Sequence, residues 1–147
     1  DRLYHISSND GGRTCSEPHR IVDLDHQLLR IVANYDTLFV SYKDGASKLM
    51  LSRSFDRGVI WEDPIYIENQ HEIGIAQFPT LSYSEGILHL FYPMYIVNNP
   101  IAIEVYHRSS ADKGVSWSFR QMLSDNDQKE GQGPSAAIDD NGNFIAT

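Results

Sequence analysis

A single cysteine, Cys15, leaves no partner for an intrachain disulfide, and the six histidines show no paired Cys or His spacing of the zinc kind. No structural metal and no cofactor are therefore expected. Basic residues are scarce: 12 Lys and Arg stand against 20 Asp and Glu, giving a formal net charge of -8 and a pI near 5. Without clustered cations to neutralise phosphates, a nucleic-acid groove is excluded, and a neutral or weakly charged partner fits better. No window approaches the ~20 consecutive apolar residues of a membrane-spanning helix, so a soluble chain without membrane association is expected. Nothing near Asp1 resembles a charged segment followed by an apolar one, as a signal peptide would require. Helical periodicity is also missing, because apolar positions run in blocks or alternate. What remains, 41% hydrophobic and 22% charged residues over 147 positions, suits one folded domain with a sizeable core.

Against these absences an internal repeat stands out. Ser54-Phe55-Asp56-Arg57-Gly58-Val59-Ile60-Trp61 and Ser110-Ala111-Asp112-Lys113-Gly114-Val115-Ser116-Trp117 match at Ser, Asp, Gly, Val and Trp with the same internal spacing. A degenerate third copy, Ser8-Asn9-Asp10-Gly11-Gly12-Arg13-Thr14-Cys15, keeps Ser8, Asp10 and Gly12 and puts Cys15 in the Trp position. An apolar or β-branched strand precedes each signature (Leu3 to Ile6, Leu49 to Leu51, Ile101 to Tyr106) and a shorter one follows (Arg20 to Val22, Ile65 to Ile67, Arg120 to Leu123). The signature is therefore predicted to be a hairpin turn. Its glycine supplies a positive φ, and its Asp carboxylate accepts backbone N–H bonds within the turn. Trp61 and Trp117 cover the hairpin, and truncating either when buried costs roughly 3–5 kcal/mol.

The other strands repeat too. Stretches opening with Gln27, Gln77 and Gln132 each lead through a polar turn (Asn34 to Thr37, Ser84 to Gly86, Asp139 to Gly142) into an apolar second strand. The order strand, turn, strand, loop, strand, signature, strand is that of a four-stranded antiparallel propeller blade of roughly 40–50 residues. The expected fold class is accordingly all-β, a β-propeller with three blades per chain: a half-blade over 1–23, blades over 24–68 and 69–124, and a half-blade over 125–147. Three blades hardly close a ring, since propellers have about 4–8. Either a homodimer joins the half-blades of two copies into six blades, or the chain is part of a longer propeller. Protection of every sheet edge favours the dimer.

Because of these three motifs the whole chain resembles the sialidase superfamily, whose bacterial neuraminidase repeats carry an Asp box between the third and fourth strands of each blade. The resemblance implies a structural role for Ser8, Asp10, Gly12, Ser54, Asp56, Gly58, Trp61, Ser110, Asp112, Gly114 and Trp117, on the face away from the functional one. It also favours an extracellular or periplasmic location. The same repeat serves sialidases, other glycosidases, lyases, sorting receptors and assembly factors, so activity has to be read from the opposite rim. The Arg-Ile-Pro segment that sialidases carry near their first strand is not in this sequence.

On the segments leading into the inner strands, Gln27, Gln77 and Gln132 are candidates to line an axial channel as uncharged donors and acceptors for sugar hydroxyls, with Arg30 beside them. Glu72 and Glu130 fall in corresponding loops and are the candidate catalytic pair, since glycosidases use two carboxylates about 5–5.5 or 6.5–9.5 Å apart. The aromatic run Phe91, Tyr92 and Tyr95 and the loop from Tyr95 to Pro100 are further candidates for sugar stacking and specificity. Three functions follow: a glycan-binding propeller, a sialidase-like glycoside hydrolase half or protomer, and a non-catalytic protein-interaction or assembly propeller.

Overall fold

The computed structural model describes residues 2–23, 27–44, 48–68, 79–96, 102–125, 136–139 and 143–146. Among them the regular structure is entirely β. β1 (Leu3–His5) and β2 (His19–Val22) form a two-stranded sheet. β3 (Gln27–Asn34), β4 (Thr37–Lys43), β5 (Leu49–Ser54) and β6 (Ile65–Glu68) then form a four-stranded sheet in chain order. β7 (Thr80–Ser84), β8 (Ile87–Ile96), β9 (Ala102–Ser110) and β10 (Gln121–Met122) repeat it, and β11 (Ala136–Ile138) with β12 (Phe144–Ala146) begins it again. Every neighbouring pair is antiparallel. β3 packs on β7 and β7 on β11, each the first strand of its sheet. The sheets are thus arrayed side by side around their inner strands.

Alternation along the strands explains what lies between the two complete sheets. Leu88, Leu90, Tyr92 and Met94 share one face of β8 and meet Phe39, Leu49, Leu51 and Ile67 of the preceding sheet, with Leu81 and Tyr106 closing the layer. Fully burying one such side chain stabilises by about 1.5–3 kcal/mol. Arg108 adds a polar tie between sheets, donating from Nη1 to the Ile67 carbonyl at 2.9 Å and from Nε to the Ser118 carbonyl at 2.8 Å.

All three signature turns are built alike. The serine hydroxyl donates to the aspartate Oδ1 at 2.8 Å in each (Ser8 to Asp10, Ser54 to Asp56, Ser110 to Asp112). The same hydroxyl accepts the glycine N–H, at 2.8, 2.8 and 2.7 Å for Gly12, Gly58 and Gly114. Oδ1 also accepts the N–H four residues on, from Thr14, Ile60 and Ser116. These donors favour the charged carboxylate. Asp10 is held at about 2, chiefly by the Thr14 N–H, and Asp112 at about 2, chiefly by the Ser116 hydroxyl. Asp56 is lowered in the same sense, chiefly by the Ile60 N–H.

The glycines show how the turns dock. A Cβ on Gly114 would overlap Leu51 of the preceding sheet, and one on Gly58 would overlap the His5 ring, whereas Gly12 has open space around it. His5 and Leu51 occupy the same place in successive repeats, three residues before the signature serine. Beside these sockets Trp117 packs on the core and Trp61 meets His5 edge-on at 5.6 Å between ring centroids.

Several strand limits differ from the sequence reading: β5 and β9 run on to the signature serines Ser54 and Ser110. β10 contracts to Gln121–Met122, and β8 continues to Ile96, through Pro93 and into the segment expected to be a loop. Proline is tolerated there for a geometric reason. Val105, opposite Pro93, turns its backbone towards the β10 side, its N–H donating to Ser124 Oγ and its carbonyl accepting from the Leu123 N–H. The Pro93 nitrogen consequently faces away from β9, beyond Phe91, the last β8 residue paired with β7.

The glycine sockets have a measurable consequence. Gly12→Ala is expected to cost about 1–2 kcal/mol, the strain of a Cβ at positive φ. Gly114→Ala should cost about 1–3 kcal/mol more, because Leu51 has to move as well. Equal losses for the two variants in urea titrations would show that Leu51 does not bear on the turn.

Candidate functional site

The strand registers define two rims. Asn34↔Thr37 and Leu38↔Ser54 put the β3–β4 turn and the signature turn at one end of the sheet. Gln27↔Lys43 and Leu49↔Glu68 put the start of β3 and the end of β6 at the other. The start of β3 therefore lies at the rim opposite the signature turn. Gln27 begins β3 at that rim. Glu72, Gln77, Glu130 and Gln132 lie outside the described residues, as do Val97 to Pro100 of the expected specificity loop. Arg30 is exposed on β3, opposite Ser41, and its Nη1 donates to the Leu29 carbonyl at 2.9 Å. Of the aromatic run, Phe91 and Tyr92 are fully buried, so they serve packing.

A carboxylate that sequence reasoning passed over sits near the same rim. Glu104, the third residue of β9, is only 2% exposed. Ser124 Oγ donates to Glu104 Oε2 and accepts the Val105 N–H, pinning the chain that leaves β10. Glu104 Oε1 is buried with no hydrogen-bond partner. Its one sequence signal is a charged residue within the apolar run from Ile101 to Tyr106. No group of three or more His, Cys, Asp or Glu suited to a metal occurs among the described residues.

The opposite face of the same sheet carries a histidine pair. His89 Nδ1 and His107 Nε2 stand 3.1 Å apart, and the His107 ring lies 4.8 Å from that of Phe91. One ring has to donate its N–H and the other accept, so the contact requires at least one neutral imidazole. Burial lowers the His107 pKa to about 4, with His89 adding to the effect, and burial lowers His89 as well. The unfolded chain takes up a proton at His107 near the ordinary imidazole value of 6.5 and the folded chain only near 4. Stability is therefore expected to fall as pH drops through that window, and to be unaffected by this group above it. His107→Phe should flatten the dependence of the unfolding midpoint on pH between these limits; an unchanged slope would refute the assignment.

No family model matches the sequence, and no curated protein does. Solved structures do match. The chain resembles the α-L-arabinanase of Penicillium chrysogenum, complexed with arabinobiose, with a TM-score of 0.74 at 16% identity over 99% of this chain and 48% of that one. It resembles the α-L-arabinofuranosidase Arb93A of Fusarium graminearum, in complex with an iminosugar inhibitor, with a TM-score of 0.73 at 16% identity and the same coverage, 99% and 48%. The arabinobiose complex of the GH93 α-L-arabinofuranosidase of Fusarium graminearum gives a TM-score of 0.71 at 17% identity, again over 99% and 48%. At these identities the likeness is one of fold: an all-β arrangement consistent with part of a propeller, spanning about half the length of the proteins it matches.

Proposed function

We propose that this chain is half of a carbohydrate-active β-propeller, three blades of a ring completed to six, which holds a neutral glycan at the rim opposite its signature turns. The observation that carries the reading is the overlap of 99% of the chain with sugar-processing enzymes, two of whose structures hold arabinobiose. The polar segments leading into β3 and β7 and towards β11 would supply the contacts, Gln27, Gln77 and Gln132 offering uncharged donors and acceptors and Arg30 a directional one. The uniform hydrogen bonding of the three turns supports kinship with the Asp-box repeats of the sialidase superfamily.

Charge separates the ligand classes. A sialic acid carboxylate calls for clustered arginines, and the chain carries a net charge of -8. Neutral pentose oligosaccharides of the arabinobiose kind fit better. Hydrolysis is the second reading, with Glu72 and Glu130 as acid and base or nucleophile. Glu104, held at that rim by Ser124, would act by fixing the surrounding strand end rather than on the sugar.

The test begins with the solution mass by light scattering, where the homodimer reading expects two chains. Calorimetric titration with arabinobiose and sialyllactose follows, with released arabinose measured in parallel. Arabinobiose is expected to bind, about tenfold more weakly after Arg30→Ala, and sialyllactose not to bind. Arabinose release abolished by Glu72→Gln or Glu130→Gln would establish the hydrolase. Binding of neither sugar would leave a protein-interaction or assembly scaffold.

A further inference from the structure

On the rim of the signature turns, between the β1–β2 sheet and the β3–β6 sheet, lies a cleft of about 640 Å³. That is within the roughly 300–1,000 Å³ of small-molecule sites. Its lining has an internal counterpart. Each residue of the cleft matches, at the repeat offset, a residue between the β3–β6 and β7–β10 sheets, and there the groove is filled. Arg53 spans it, donating from Nη1 to the Lys113 carbonyl at 2.9 Å, and its guanidinium lies 5.5 Å from the Phe55 ring centroid, with Lys113 Nζ 5.1 Å from the same ring. Below them Leu51, paired with Ile65, seats against Gly114.

In the first groove the plug is missing by sequence. Ser7 stands for Arg53 and Asn9 for Phe55, removing the bridge and the ring it covers. The floor changes in kind: His5 and His19 replace Leu51 and Ile65, stacked with centroids 5.4 Å apart. Two imidazoles in place of two aliphatic chains put hydrogen-bonding atoms where the counterpart has none, and His5 Nδ1 is buried without a partner. Burial lowers the His5 pKa, with His19 adding to the effect.

The wall carries two further departures. Tyr35 and Asp36 replace Glu85 and Gly86 in the two-residue turn. Tyr35 is held at φ +52° and is 95% exposed, an aromatic face presented to solvent on a backbone conformation that a bulky residue resists. Asp36 accepts from the Arg57 guanidinium, so the two charges cancel within the wall.

We infer that this cleft is a binding site for a sugar residue of a neutral oligosaccharide, separate from the rim that leads into the inner strands. An exposed aromatic face, the imidazole nitrogens of His5 and His19, the Asn9 amide and the paired Asp36 and Arg57 are groups that recognise a polyhydroxylated ring. The site does not depend on the function assigned to the opposite rim.

Amide-resolved NMR titrations of the chain with arabinobiose and with cellobiose test it. Shifts centred on Asn9, Tyr35 and Asp36 are expected. The double variant Ser7→Arg, Asn9→Phe, which copies the filled groove, should weaken binding about tenfold or more as read at those amides. Tyr35→Ala alters only an exposed side chain; its expected severalfold loss decides the matter where the double variant does not fold. Absence of shifts at these amides with both sugars overturns the proposal. So does unaltered affinity in the folded double variant or in Tyr35→Ala, and so does a response there to inorganic phosphate but to neither sugar.

Discussion

Seating a third-strand side chain beneath the signature glycine of the next sheet is the constraint on which the arrangement of sheets depends. Leu51 under Gly114 and His5 against Gly58 are the same contact made twice. It works because the turn above is rigid: the aspartate satisfies the backbone donors of its own loop, and the serine hydroxyl fixes the glycine. A socket closed by internal hydrogen bonds presents a fixed surface, and close packing then sets the spacing between sheets. The layer of Phe39, Leu49, Leu90 and Tyr92 follows from that spacing.

Chemistry that is local in the chain was the most legible in the sequence. Ser, Asp and Gly at fixed spacing announce a turn because every bond of the turn lies within five residues, and the strand order follows from punctuation between apolar runs. What depended on distant neighbours was hidden. Pro93 reads as a break, yet it sits inside β8, because its nitrogen happens to face the side where β7 has ended. Glu104 is masked by the apolar strand around it, and only the fold reveals that Ser124 returns to it. The exchange of Arg53 and Phe55 for Ser7 and Asn9 is present in the sequence, but nothing in a linear comparison says that these positions line a groove. Of the residues expected at the inner-strand rim, the structure describes Arg30 and the backbone of Gln27, so that site rests on chain order and register.

The two rims divide the labour of the scaffold. One carries the self-satisfied turns and is constrained by the docking of successive sheets; at the other, among the described residues, lie the start of β3 and the buried Glu104. Departures from the repeat consequently mean different things at each. On the constrained rim a polar replacement such as His5 for Leu51 sacrifices packing, which is why it singles out one groove among equivalents. The acidity of the chain bears on both, because a net charge of -8 disfavours anionic partners at either rim.

Pro93 extends this selectivity from charge to backbone. Past Phe91 the β7-side edge of β8 has no strand beside it among the described residues, and such an edge ordinarily invites an extended peptide to join the sheet by main-chain pairing. Where the amide of the guest's partner residue should stand, Pro93 has a tertiary nitrogen and no proton to give. A polypeptide laid along this step would lose a rung of its ladder, whereas a saccharide, which needs no such ladder, would lose nothing.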